Sequence, residues 1–154
     1  MLTDEKRKRV LILCTGNSAR SQMAEGVLRH DGGDAFEVVS AGVDPSSVRP
    51  EAVKVMREIG IDISTHRSKS VDEFVGQHFD YIITVCDNAK EVCPIFPGNA
   101  RHIHRSFDDP PHQDAGSDEE RLSIFRRVRD EMRDWVKDFV ETTHDHDAFT
   151  GLTG

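Results

Sequence analysis

The amino-acid sequence predicts an α/β domain built on a parallel sheet covered by helices on both faces. Three observations carry that prediction. Short apolar runs, "RVLIL", "FEVVS" and "DYIITV", read as buried strands. Stretches of helical period separate them, and strands alternating with helices imply parallel pairing with right-handed crossovers. The chain has 154 residues, which suits one domain with one core. Ligands in such sheets bind beyond the carboxyl ends of the strands.

Along the chain, "RVLIL" is the first strand. The helix from about Ala19 to Arg29 places Met23, Ala24, Val27 and Leu28 on one face. "FEVVS" is the second strand. The segment "RPEAVKVMREIG" has Pro50 at a first-turn position and Gly60 at a C-terminal cap, which marks a second helix. "DYIITV" is the third strand and "RHIHRSF" a weaker fourth. The longest helix spans about 118–142, with a stripe of Leu122, Phe125, Val128, Met132, Trp135 or Val136, and Phe139. Ser117 and Glu120 form a capping box at its start. Trp135 and the methionines are expected in the core. Residues 1–143 are read as one domain and 144–154 as a disordered tail, its two histidines solvated.

Composition narrows the function. Hydrophobic residues make up 36% and charged residues 31%, and no apolar run approaches a membrane span of roughly 18 residues. The start "MLTDEKRKRVLILC" has basic residues before an apolar stretch, but that stretch is too short for a secretory signal and no small-residue cleavage site follows. A cytoplasmic protein is expected. A net charge of -8 argues against nucleic acid or an anionic membrane as partner. Any anion site must therefore be local. The three cysteines, Cys14, Cys86 and Cys93, make a poor structural disulfide framework, and no CxxC pair or histidine spacing suggests zinc, so no metal is expected.

The informative stretch is "CTGNSARS", residues Cys14 to Ser21, between the first strand and the first helix. A strand–loop–helix unit with small residues can point successive backbone N–H groups at one anion. Gly16 permits close backbone approach, and Asn17 tolerates a left-handed conformation. Arg20 offers a planar fork for two oxygens, and the following helix adds its positive end. Thr15, Gly16, Asn17, Ser18, Ala19, Arg20 and Ser21 are thus the candidate substrate-binding residues. The same donors favour an ionised Cys14 sulfur, to which Ser21 can donate a hydrogen bond.

"CTGNSARSQMAEG" resembles the signature of the low-molecular-weight protein tyrosine phosphatase superfamily, and in particular its arsenate reductase branch. The similarity extends through "SAGV", "GIDIS", "TVCDNAKEVCP", "FDDP" and "RVRDEM", and covers about residues 8–142. It implies a four-stranded parallel sheet in a flavodoxin-like three-layer sandwich, with Cys14 as nucleophile and Arg20 as anion-binding residue. Cys86 and Cys93 match the further redox cysteines of thioredoxin-coupled arsenate reductases, and Asp109, directly before Pro110, matches the general acid, with Asp108 as its neighbouring competitor. Phosphatases of this fold tend to carry aromatic residues after the Asp-Pro, whereas "DDPPHQDAG" has none.

On this resemblance Cys14 attacks arsenate, Cys86 attacks Cys14 as arsenite leaves, and Cys93 resolves the bridge at Cys86. No tightly bound cofactor is implied, but an external dithiol is, with thioredoxin expected and a glutaredoxin-type reductant as alternative. Phosphate or sulfate would mimic the substrate, and a monomer is expected. Were "CDNAKEVC" helical, its cysteines would stand about 10 Å apart, beyond the roughly 7 Å between Cα atoms that a disulfide allows. The segment is therefore expected to be helical or partly ordered when reduced and to rearrange on oxidation. Some relatives hold a monovalent cation behind the anion loop. The matching positions are Asn17, Glu25, Ser40 and Lys69, where lysine replaces an aspartate and its ammonium can occupy the cation's place; a solvated surface lysine is the alternative. Two other functions fit the residues: a tyrosine phosphatase, and a non-catalytic oxyanion-binding redox sensor.

Overall fold

A computed structural model describes residues 7–86, 96 and 98–153, with side chains described through residue 143. Strand β1 spans Lys8–Cys14, helix α1 Arg20–Gly32, β2 Phe36–Gly42, α2 Pro50–Glu58, β3 Tyr81–Thr84, β4 Arg101–His104 and α3 Asp118–Thr153. Short 3-10 turns occupy Gly33–Ala35 and Val71–Phe74. The sheet order is β2-β1-β3-β4, and every pair is parallel. Cys14 at the end of β1 is in register with Gly42 at the end of β2, and Leu13 with Thr84 at the end of β3. The carboxyl ends of the three strands therefore form one rim.

Alternation along β1 divides the core between the two faces of the sheet. Val10, Ile12 and Cys14 pack with Val38, Tyr81 and Ile83 against Met23, Ala24, Val27 and Leu28 of α1, Val55 and Met56 of α2, and the apolar stripe of α3. Leu11 and Leu13 face the other way, where Ile82, Phe79 and Phe96 cover them, with Val71 and Phe74 of the 3-10 turn alongside.

Helix ends follow local chemistry. Pro50 opens α2 at its first position, where a missing N–H costs nothing, and Gly60 follows the helix end at φ 81°. Ser117 and Glu120 cap α3 reciprocally: the Glu120 amide donates to Ser117 Oγ at 3.2 Å, and the Ser117 amide donates to Glu120 Oε1 at 3.4 Å. On α3, Val136 rather than Trp135 points inward. Val136 is buried, whereas Trp135 is half-buried and stacks on Phe139 at 5.6 Å. Residues 144–153, expected with 154 as a disordered tail, instead continue α3. No proline or glycine occurs between Asp118 and Thr150, so the backbone ladder has no built-in stop there.

Where α2 ends, Glu58 receives Arg126 Nη2 at 2.8 Å and Arg129 Nη1 at 2.9 Å, and Arg129 also donates to the Val55 carbonyl. The hydrogen bond from Arg126, aided by Arg129, lowers the Glu58 carboxyl to about 2. Arg129 thus places a cation on a last-turn carbonyl of α2, and both arginines tie that helix to α3.

Candidate active site

The loop from Cys14 to Arg20 is held open by its own carbonyls. Thr15 O accepts from the Asp44 amide at 2.9 Å, Gly16 O from Ser46 at 3.1 Å, and Ser18 O from Arg49 at 2.8 Å. Asn17 O accepts from Ser68 Oγ at 2.7 Å. In a trans peptide the N–H lies opposite the C=O. With these four carbonyls turned outward, the amides of Gly16, Asn17, Ser18 and Ala19 are directed to the inside of the loop. The Asn17 amide lies 3.3 Å from Cys14 Sγ.

Asn17 is the described non-glycine residue with a positive φ, 47°, and it is fully buried. A left-handed backbone at such a residue persists only where its surroundings over-determine it. Its Nδ2 donates to Ser21 Oγ at 2.8 Å and to Ser40 Oγ at 2.9 Å. Its Oδ1 accepts from the Lys69 amide at 2.8 Å and from Gln22 Nε2 at 2.9 Å. These contacts orient Ser21: because Asn17 donates to Ser21 Oγ, the serine keeps its own proton for Cys14 Sγ, 2.8 Å away. Cys14 is 2% exposed and is a free thiol. The Cys14 sulfur thus has the Ser21 hydroxyl and the Asn17 amide as hydrogen-bond partners inside the buried site.

Arg20 enters from the first turn of α1 and is 5% exposed. Its Nη1 donates to the Phe107 carbonyl at 3.5 Å, and its Nη2 lies 3.4 Å from Asp109 Oδ1. Asp108 turns away to Arg127 of α3 at 3.0 Å. The anion fork and Asp109 are therefore neighbours, and the adjacent aspartate is engaged elsewhere.

Cys86 lies two residues beyond the end of β3, is fully buried, and shares one apolar cluster with Cys14. The Val85 amide donates to Leu13 O at 3.0 Å, which sets the chain before Cys86 alongside the end of β1. Cys86 is disulfide-bonded, in contrast to Cys14. Cys93 and the segment expected to rearrange lie outside the described residues, 87–95 being omitted.

Behind the loop the structure brings Asn17, Glu25, Ser40 and Lys69 together. Ser40 Oγ donates to Glu25 Oε1 at 2.7 Å, and Lys69 Nζ stands 3.7 Å from the same oxygen. Three further residues that sequence reasoning missed complete this network. Arg29, one helical turn beyond Glu25, pairs with it at 3.2 Å. His66 Nδ1 lies 3.4 Å from Glu25 and 2.9 Å from Gln22 Oε1. Gln22 links His66 to Asn17. Burial lowers both the His66 and the Lys69 ionisation from their ordinary values, with the Glu25 charge opposing it in each case. The spacing of Glu25 and Arg29 was a legible signal; the pairings of Gln22 and His66 depend on a loop 44 residues away in sequence. Among the described residues there is no cluster of three metal-ligating side chains, and no helix is long and apolar enough to cross a membrane.

Residues 9–147 match the family model described as low molecular weight phosphotyrosine protein phosphatase. A curated relative, an arsenate reductase of Halalkalibacterium halodurans, is 48% identical over 136 residues, covering 88% of this chain and 97% of the relative. A solved arsenate reductase in a phosphate-binding state superposes with a TM-score of 0.74 at 31% identity, over 88% of this chain and 98% of that one. A thioredoxin-dependent arsenate reductase of Corynebacterium glutamicum gives 0.65 at 27% identity, over 92% of this chain and 65% of that one. The chain belongs to the low molecular weight phosphotyrosine protein phosphatase family, and within it the similarity is to arsenate reductases.

Proposed function

We propose that the protein reduces arsenate to arsenite through its three cysteines. Arsenate sits on the loop amides and Arg20. The Cys14 thiolate attacks arsenic, and an oxygen leaves as water with a proton from Asp109. Cys86 then attacks Cys14 Sγ. The S–As bond breaks with its electron pair passing to arsenic, which leaves as arsenite, and a Cys14–Cys86 disulfide forms. Attack by Cys93 on the Cys86 sulfur frees Cys14 and leaves a Cys86–Cys93 disulfide. An external dithiol of the thioredoxin class reduces that bridge and supplies the two electrons. A cytoplasmic setting, where such dithiols are kept reduced, suits this cycle.

The observation that carries the reading is the burial of Cys14 and Cys86 in one cluster at the rim formed by the strand ends. The test follows arsenite formation with thioredoxin, thioredoxin reductase and NADPH. A Cys93→Ser variant should release about one arsenite per protein and then stop. Sustained turnover by that variant refutes the cascade. Undiminished phosphate-ester hydrolysis without arsenite would instead favour a phosphatase.

Lys69 is proposed to stand where relatives hold a monovalent cation, since its ammonium reaches Glu25 beside Asn17 and Ser40. Replacing sodium by potassium at constant ionic strength should change the steady-state rate by less than about twofold. A severalfold rise would exclude this role.

A further inference from the structure

Asp109 meets Arg20 at 3.4 Å, and its side chain is 64% exposed, so its placement depends on the backbone that carries it. That backbone is fixed on both sides. Phe107 is buried and its amide donates to Val85 O at 3.3 Å. On the other side, Arg49 Nη2 donates to the Pro111 carbonyl at 3.0 Å. The main-chain amide of the same Arg49 donates to Ser18 O in the anion loop. A single residue therefore bonds both the loop that holds the anion and the segment that holds the acid.

We propose that Arg49 is a positioning residue that locks the Asp109 segment to the anion loop and so sets the distance between proton donor and bound oxyanion. The proposal rests on the reading of Asp109 as proton donor. The guanidinium is itself held in place. Glu51 Oε2 accepts from Arg49 Nη2 at 2.7 Å, and the group lies over the Phe125 ring at 5.2 Å. Glu51 also meets Arg121 Nε at 3.4 Å, and Arg121 Nη1 donates to Ala115 O and Gly116 O at 3.1 and 2.9 Å. Both ends of the 111–116 turn are thus tied to one carboxylate between two arginines. Burial pushes the Glu51 carboxyl up, but the hydrogen bond from Arg49 and the charges of both arginines outweigh it and hold Glu51 ionised. The side chain of Arg49 is engaged by Glu51, the Pro111 carbonyl and Phe125, whereas its hydrogen bond to Ser18 O comes from the main-chain amide and does not depend on the side chain.

The test compares Arg49→Met, Arg49→Lys, Asp109→Asn and the Arg49→Met/Asp109→Asn double variant. It measures the first-turnover rate of arsenite formation by reduced protein without external reductant, together with the Kd for inorganic phosphate. Arg49→Met should slow the first turnover about tenfold while phosphate Kd moves less than about threefold. Arg49→Lys should recover most of the rate. In the Asp109→Asn background, Arg49→Met should cost no more than about twofold. Additive losses, or a phosphate Kd that rises by the same factor as the rate falls, overturn the proposal. A slow Asp109→Asn beside an unimpaired Arg49→Met overturns it alone, whereas an Asp109→Asn at the wild-type rate removes the proton-donor reading and this proposal with it. If Arg49→Met does not fold, Glu51→Gln keeps the shape of the clamp and should give the same pattern at smaller amplitude; its absence overturns the proposal.

Discussion

Cys14→Ser should abolish arsenite formation, by at least about a thousandfold, while leaving the anion site intact. The substitution keeps the side chain's shape and its contact with Ser21, now 2.8 Å from the sulfur. It removes the ionisable nucleophile, because a hydroxyl does not give up its proton near neutral pH. On the proposed reading the oxyanion's partners are the outward-pinned peptides of residues 15–19 and the Arg20 fork, none of which changes. The anion should in fact bind at least as tightly. A thiolate about 4 Å from a bound anion repels it by roughly 4 kcal/mol at a surface-like dielectric, an upper figure for what the neutral serine relieves. First-turnover arsenite assays and phosphate calorimetry on the same preparation check this. Residual turnover at the wild-type rate would remove Cys14 from the chemistry. A folded variant that no longer binds phosphate would mean that the sulfur, and not the peptide cradle, holds the anion.

Gly42→Ala is expected to damage the site itself without touching a reacting group. A Cβ at position 42 would fall 2.4 Å from Thr15 O, 2.9 Å from the Asn17 amide nitrogen and 3.0 Å from the Thr15 carbonyl carbon. All three are backbone atoms of the anion loop, so no side chain can turn aside to make room. Gly42 is fixed in turn by its register with Cys14 and by its amide bond to Lys69 O at 2.9 Å. The loop must yield, and a displacement on the order of 1 Å at reacting atoms costs about a hundredfold in rate. Phosphate Kd should rise by about tenfold or more, because the amides lose their common focus. Wild-type phosphate affinity and turnover in a folded Gly42→Ala protein would show that the loop accommodates the methyl group.

Much of the fold was legible because its signals are local. The β-rich runs of β1, β2 and β3, the proline that opens α2 and the Ser117–Glu120 box are each contained within a few residues, and each occurs where the pattern places it. β4 was less legible: Arg101–His104 is short and mostly exposed, so it lacks the apolar run that marks the other strands. Helix α1 misled in one respect. Its apolar stripe was plain, but residues 20–28 are all buried, because Ser21, Gln22 and Glu25 face the anion loop and its supports instead of water. Polar residues buried by a site look, in sequence, like an ordinary solvent face.

The sequence by itself determined the parallel α/β order and the place of the Cys14–Arg20 loop between β1 and α1, since spacing along one chain decides both. It did not decide which aspartate stands at Arg20, that Gln22 and His66 brace Asn17, or that Arg49 joins the two halves of the site. Those are meetings between segments far apart in the chain, and only the packing of α2, α3 and the loops onto the strand ends brings them within hydrogen-bonding distance.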